Sequence, residues 1–170
     1  MITSIFSKSK PLNFIIVFFI TVLAFVVANL NRLTEPITAE YILKQVILFF
    51  VCYVSILVLN FVVSKNSLTL NNNYEILLFS LFLLAISQTT LDTNILFANL
   101  FILFSLRRIL SLRSQANINK KLFDAAFWIA IATLFYFWAI LFFVLIFVSL
   151  ILYSGNKINY QPELIKPANN

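Results

Sequence analysis

Histidine is absent from the 170 residues, and cysteine, at Cys52, and glycine, at Gly155, each occur once. Zinc sites made of cysteine and histidine, Ser-His-Asp and Cys-His catalytic units, and iron sites with several histidine ligands are therefore excluded. A single cysteine also forms no disulfide within the chain, so Cys52 is interpreted as a small apolar packing residue. The sequence predicts no metal site and no cofactor.

Charge is also scarce, at 11% of the chain against about 25% in a soluble domain. Residues 12–30 and 45–64 carry no charge, and residues 76–106 and 125–155 carry one between them, on Asp92. About 20 uncharged residues are what a helix needs to cross a hydrocarbon core about 30 Å thick. The runs do not alternate as strands of a membrane barrel do. We therefore expect an all-α, polytopic helical membrane protein.

About six transmembrane or partly spanning helices, several of them short, are expected in one membrane-embedded domain over residues 1–155. They are placed near 12–30, 37–64, 74–88, 94–110, 121–136 and 138–154, with a polar tail over 156–170. The polar run 87–94 divides the third stretch into a hairpin. Tyr136 and Trp138 favour a second break, because these residue types prefer the membrane interface. One long helix in either stretch is the alternative, and residues 125–153 would then be about 43 Å long.

The start of the third helix carries a local capping pattern. Asn72 can cap the helix, and Glu75, three residues later, can return a bond to its backbone. The two residues therefore predict a capping box.

Lysine and arginine counts predict the orientation, because cytoplasmic loops carry the excess. The N-terminus has two such residues, segment 31–44 two, loop 65–75 one, the hairpin tip none, and segment 107–121 five. Four crossings connect the N-terminus and segment 107–121 on one side. We expect a multi-pass membrane protein with a cytoplasmic N-terminus. Membrane flanks account for the net charge of +6, so no nucleic acid partner is expected.

Three carboxylates are weak catalytic candidates. Asp92 is an ionisable group within an apolar stretch, which points to function, although turn or cap chemistry explains it more simply. Glu35 and Glu40 can face outward, as in glycosyltransferases whose carboxylate acts as a base on the acceptor. The structural alternatives are a turn set up by Glu35 before Pro36, and a helical ion pair between Glu40 and Lys44.

A basic segment follows the hairpin and contains no acid; it carries Arg107, Arg108, Arg113, Lys120 and Lys121. Such clusters beside a span attract anionic lipid headgroups, with about 1 kcal/mol for each charge near the surface. They can also hold a phosphorylated lipid. The alternative is that they only determine topology.

Two blocks of sequence carry a resemblance to a known family. The first is the opening MITSIFSKSKP, and the second, from Arg107 to Phe142, contains RRILSL, KLFDAAFW and LFYFW. The chain resembles a flavobacterial family of polytopic membrane proteins containing a domain of unknown function. The resemblance implies longer relatives, of which this chain matches the N-terminal half. It also implies a location in the bacterial inner membrane, and it implies no active site.

The leading hypothesis is a non-enzymatic subunit or scaffold of a membrane complex, with another membrane protein and the lipid bilayer as partners. It follows from the lack of catalytic groups in the spans and from the short loops. One alternative is a glycosyltransferase-like protein handling polyprenyl-phosphate-linked sugars. Another is a transporter component, although glycine hinges are missing from every span.

Overall fold

The computed structural model describes residues 6–8, 10–30, 38–70, 72–114 and 116–158, with side chains up to residue 152. The predicted all-α fold is confirmed, and the described part contains no strand. The helices are α1 (Pro11–Asn29), α2 (Ala39–Lys65), α3 (Tyr74–Ala85), α4 (Thr93–Leu110), α5 (Ile118–Phe135) and α6 (Phe143–Ile158). Three 3-10 segments, Ser87–Leu91, Ser111–Ser114 and Phe137–Phe142, lie between them.

Three helical stretches are long and apolar enough to cross a membrane. They are α1, α2, and α4 together with the 3-10 segment that follows it, Thr93–Ser114. Helix α3 is a shorter apolar helix, with twelve residues. The polar sequence Ser87–Leu91 ends the first arm of the hairpin in a 3-10 segment, and α4 begins directly after Asp92. Residues 138–142, expected to start the last helix, belong to the 3-10 segment instead.

Local capping explains some helix starts and fails at another. Pro11 occupies the first turn of α1, where its missing N–H removes no helical bond. The Thr38 side chain accepts a bond from the backbone N–H of Tyr41 and caps α2. The capping box predicted from Asn72 and Glu75 is wrong, because Asn73 is the cap residue of α3 and makes no side-chain cap bond. Both Glu75 carboxylate oxygens are buried without a hydrogen-bond partner.

Helices α4 and α5 form an antiparallel hairpin with the most extensive contact in the fold. Phe97 stacks on Phe135, with ring centroids 5.4 Å apart, and Phe101 stacks on Trp128 at 5.7 Å. Near the turn, the Ser105 hydroxyl donates a buried hydrogen bond of 3.0 Å to the carbonyl of Ala125. These contacts align the two helices along their whole length.

The remaining helices pack in an order that differs from the chain order. Helix α2 packs on α4, and α3 lies against both α1 and α2. Consecutive helices α1 and α2 have less contact with each other than α1 has with α3. The main core is shared by these helices and includes Val17, Ala24, Leu48, Ile56 and Ile76. Helix α6 joins through Ile146, which packs with Ile109 and Ile129.

The helices alternate in direction, so the molecule has two ends. At one end, the backbone N–H of Asn73 donates to the Phe6 carbonyl at 3.0 Å, which joins the start of α3 to the N-terminal segment. Arg107, near the end of α4, lies over the ring of Phe61, near the end of α2. We call this the basic end; it holds the starts of α1, α3 and α5 and the ends of α2 and α4. The opposite end holds the end of α1 and the starts of α2 and α4.

Much of the surface between the two ends is apolar. Leu134, Ile151 and Phe123 are exposed over 85%, 74% and 73% of their surface. Soluble monomers rarely expose contiguous apolar patches larger than a few hundred Å². The exposed apolar faces are those that a bilayer covers.

A seam of small residues lies where α4, α5 and the segment Phe137–Phe142 meet, and it predicts that larger side chains are not tolerated there. Ala132 is fully buried between Ala98 and Ala139. Replacing Ala132→Leu adds a side chain for which there is no space, and should lower the free energy of unfolding by about 1–3 kcal/mol. The matched control is Ala130→Leu, at an exposed position on the same helix. Thermal unfolding of detergent-solubilised protein measures both, and equal melting temperatures would contradict the seam.

Candidate functional site

Asp92 caps α4 at the opposite end. Its Oδ1 accepts hydrogen bonds from the backbone N–H groups of Asn94, at 2.9 Å, and Ile95, at 3.2 Å. A carboxylate in this position satisfies two N–H groups that the helix leaves free and faces the positive end of its dipole. The side chain is exposed and lines an open polar pocket of about 440 Å³ with Lys44 and Gln88.

Glu40, the second candidate carboxylate, is not among the residues that line this pocket. Glu40 is exposed in the first turn of α2, where the helix dipole also favours a negative charge. Glu40 and Lys44 are four residues apart, yet no ion pair within 4 Å joins them. Glu35 lies outside the described residues.

The basic segment is brought to the end of the α4–α5 hairpin, where two of its cations are held in place. Arg108 forms an ion pair of 3.1 Å with Asp124 across the turn. The Lys121 ammonium donates to the Ser111 carbonyl at 2.7 Å and to the Ser114 hydroxyl at 2.6 Å. These bonds cap the C-terminal end of α4, where a positive charge is favourable.

The other three cations of the segment, Arg107, Arg113 and Lys120, are exposed. Arg107 lies 5.0 Å from the centroid of the Phe61 ring, and the Lys65 ammonium lies 5.4 Å from the same centroid. Cation–π contact of this kind aligns a charge without neutralising it. The side chains therefore present positive charge outward from the basic end.

Two of the candidate carboxylates, Asp92 and Glu40, lie far from Arg107. Asp92 and Arg107 are at opposite ends of α4, separated by fifteen residues and hence by about 22 Å. Glu40 is at the opposite end of α2 from Phe61, the ring beneath Arg107, at about 30 Å. A base and a phosphate-binding arginine must contact the same substrate within hydrogen-bond distances. These pairs are too far apart to do so.

Sequence reasoning missed a group of buried polar residues at the basic end. Asn13 and Asn73 are 0% and 1% exposed, and each has a side-chain atom without a hydrogen-bond partner. The Asn13 amide donates to the Lys8 carbonyl at 2.8 Å, which holds the N-terminal segment to α1. Burial raises the pKa of Glu75 above its ordinary value of 4.5. The positions of Asn13, Asn73 and Glu75 beside loops gave no indication that these side chains are buried. Their burial depends on the packing of the N-terminal segment on α3.

No protein-family model matches the chain, and no curated protein or solved structure is significantly similar to it. Membership of the flavobacterial family stays a prediction.

The geometry of Asp92 separates a capping role from a catalytic one. Replacing Asp92→Ala leaves the N–H groups of Asn94 and Ile95 without a partner and should lower the free energy of unfolding by about 0.5–2 kcal/mol. The variant Asp92→Asn keeps an oxygen that can accept the same bonds, so it should stay near wild type in stability. Thermal unfolding compares the stabilities of the two variants.

The variant Asp92→Asn also tests in cells whether Asp92 has a role beyond capping. In a strain that depends on it, Asp92→Asn should support growth at normal protein abundance. Loss of function in Asp92→Asn, with stability and abundance unchanged, would contradict the capping role.

Proposed function

We propose that the protein is a non-enzymatic subunit or scaffold of a membrane complex in the bacterial inner membrane, with its basic end at the cytoplasmic face. The observation that carries the proposal is the separation of charge between the two ends. Among the residues whose side chains are described, eight basic and two acidic ones belong to the basic end: Lys8, Lys10, Lys65, Arg107, Arg108, Arg113, Lys120, Lys121, Glu75 and Asp124. The opposite end carries Glu40, Lys44 and Asp92.

This distribution supports the orientation. Lysine and arginine close to the ends of spans are retained on the cytoplasmic side, and acidic residues contribute little to the choice. Helices α1 to α4 alternate in direction, so the N-terminal segment and the basic segment share one face. The N-terminus is then cytoplasmic.

Anionic lipid headgroups are the proposed contacts of the basic end. Arg107, Arg113 and Lys120 are exposed, and none of them has an ion-pair partner in the described residues. The lipid phosphates of the cytoplasmic leaflet attract such groups by about 1 kcal/mol each. Arg108 contributes less, since Asp124 already compensates its charge.

The surface of α6 and the segment before it suits a membrane protein partner. Phe137 and Trp138 are 69% and 61% exposed, and Ile151 is 74% exposed. Among the described elements, α6 contacts α4, α5 and two of the 3-10 segments, on one side of the helix. The rest of its apolar surface is available to a neighbouring helix.

The glycosyltransferase-like alternative receives no support from the described candidates, because Asp92 is about 22 Å from Arg107 and Glu40 is farther still, while Glu35 lies outside the described residues. A transporter is expected to have a line of paired charges through its spans. The described spans have no such line, because the ion pair Arg108–Asp124 lies at the basic end. Neither alternative is favoured by a specific observation.

Cysteine labelling tests the proposed orientation, with Cys52→Ala as the background because Cys52 is buried in α2. Asn94→Cys places a thiol at an exposed position of the opposite end, and Asn119→Cys places one at the basic end. In spheroplasts, a membrane-impermeant maleimide should label Asn94→Cys at once and Asn119→Cys only after permeabilisation. Both variants replace asparagine by cysteine, so they differ only in the end of the molecule at which the thiol lies.

The reverse labelling pattern would overturn the orientation. Immediate labelling of both variants in sealed spheroplasts would show that the two ends do not lie on opposite faces of a membrane.

A further inference from the structure

Two cations from different helices lie beside one aromatic ring at the basic end. Lys65 ends α2 and Arg107 lies in the last turn of α4, and their charged groups are 5.4 Å and 5.0 Å from the centroid of the Phe61 ring. The distance between the two charges therefore cannot exceed the sum of these two lengths. We propose that Lys65, Arg107 and the Phe61 ring form a subsite for the phosphomonoester headgroup of a lipid.

The subsite deepens the proposed function and rests on it, because the basic end must lie at a membrane face. It adds one defined position and one class of headgroup to a general attraction for anionic lipid. A lipid phosphodiester carries a single negative charge, which would leave one of the two cations uncompensated. A phosphomonoester carries about −1.5 to −2 at pH 7 and can accept a charge-assisted hydrogen bond from each cation.

Neighbouring cations at the same end are already occupied, and these two are not. Arg108 pairs with Asp124, and Lys121 donates to two oxygens near the end of α4. Lys65 and Arg107 are exposed and form no ion pair or hydrogen bond with any described residue. Two like charges held close together repel each other. An anion that contacts both removes this repulsion.

The Phe61 ring holds the two cations together before any ligand binds. It lies one helical turn before Lys65 on α2, and α2 packs on α4, which carries Arg107. The ring is 44% exposed, so it attracts both charges at the surface of the molecule and leaves them open to a ligand. Side chains that are ordered in advance lose less entropy on binding.

The loop after α2 favours a lipid over a soluble phosphate. Leu68 and Leu70 follow Lys65 in this loop and are 50% and 88% exposed. Apolar side chains at the headgroup level of a bilayer can contact the upper part of the lipid chains, which is favourable because it removes them from water. A phosphate without hydrocarbon chains gains nothing from these leucines.

Native mass spectrometry of the detergent-solubilised full chain tests the subsite. The probes are dioleoyl phosphatidic acid, a phosphomonoester, and dioleoyl phosphatidylglycerol, a phosphodiester with the same chains. The first molecule of phosphatidic acid should bind about threefold to tenfold more tightly than the first molecule of phosphatidylglycerol, which is the value of about one additional charge near the surface.

Variants locate this preference on the chain. Lys65→Gln and Arg107→Gln should each remove most of it, and the double variant should lower it no further, because both cations bind the same phosphate. The matched control is Arg113→Gln, which removes one charge from an exposed position at the same end. It should lower the affinity for both lipids alike and leave their ratio unchanged. All three positions are exposed, so thermal unfolding should be the same as in wild type.

The possible failures are distinguishable. Equal affinity of the wild type for the two lipids, or a preference that survives both Lys65→Gln and Arg107→Gln, would overturn the subsite and leave the general attraction for anionic lipid in place. Binding of both lipids no tighter than that of dioleoyl phosphatidylcholine would overturn the proposed lipid contacts of the whole basic end. Competition by glycerol 3-phosphate at the concentration of the lipid would overturn the assignment to a lipid, because this phosphomonoester has no hydrocarbon chains.

Discussion

The exclusion of charge from hydrocarbon is the constraint on which the rest of the structure depends. A single Arg, Lys or Asp at the centre of a spanning helix costs about 2.5–3.5 kcal/mol on insertion scales. The described charges accordingly lie at or near helix ends, where most of them cap, pair or face outward; Glu75 differs, since both of its carboxylate oxygens are buried without a partner. Asp92 begins α4, Lys121 closes the same helix, and Arg108 meets Asp124 across the next turn. The charges that give the molecule two different ends also stabilise the ends of its helices.

Several hydroxyl groups within the apolar region donate to a backbone carbonyl. Thr21, Ser55 and Ser149 donate to the carbonyl four residues earlier in their own helices. Ser105 differs, because its hydroxyl reaches the backbone of another helix at Ala125. A hydrogen bond between helices has no competition from water in a bilayer and fixes the register of α4 against α5. Together with the buried alanines, it makes this hairpin the most tightly specified part of the fold.

The sequence predicted what depends on local composition. The span at residues 12–30 corresponds to α1, and the polar run 87–94 ends one helix and caps the next, because charge and turn residues act where they stand in the chain. Prediction from the sequence failed where segments that are far apart in the chain come into contact. The capping box of Asn72 and Glu75 does not form, because the cap residue of α3 is Asn73, whose backbone N–H bonds to the distant Phe6 carbonyl. The distance between Asp92 and Arg107 could be predicted only once it was known that one continuous helix, α4, joins them.

The central claim is that the protein acts as a component of a membrane assembly and not as an enzyme. Its most direct test is native mass spectrometry of the protein extracted under mild conditions from its own membrane. The account predicts a stoichiometric complex with a second membrane protein, retained together with anionic lipid. A monomer that carries no protein partner and turns over a polyprenyl-phosphate sugar on its own would contradict it.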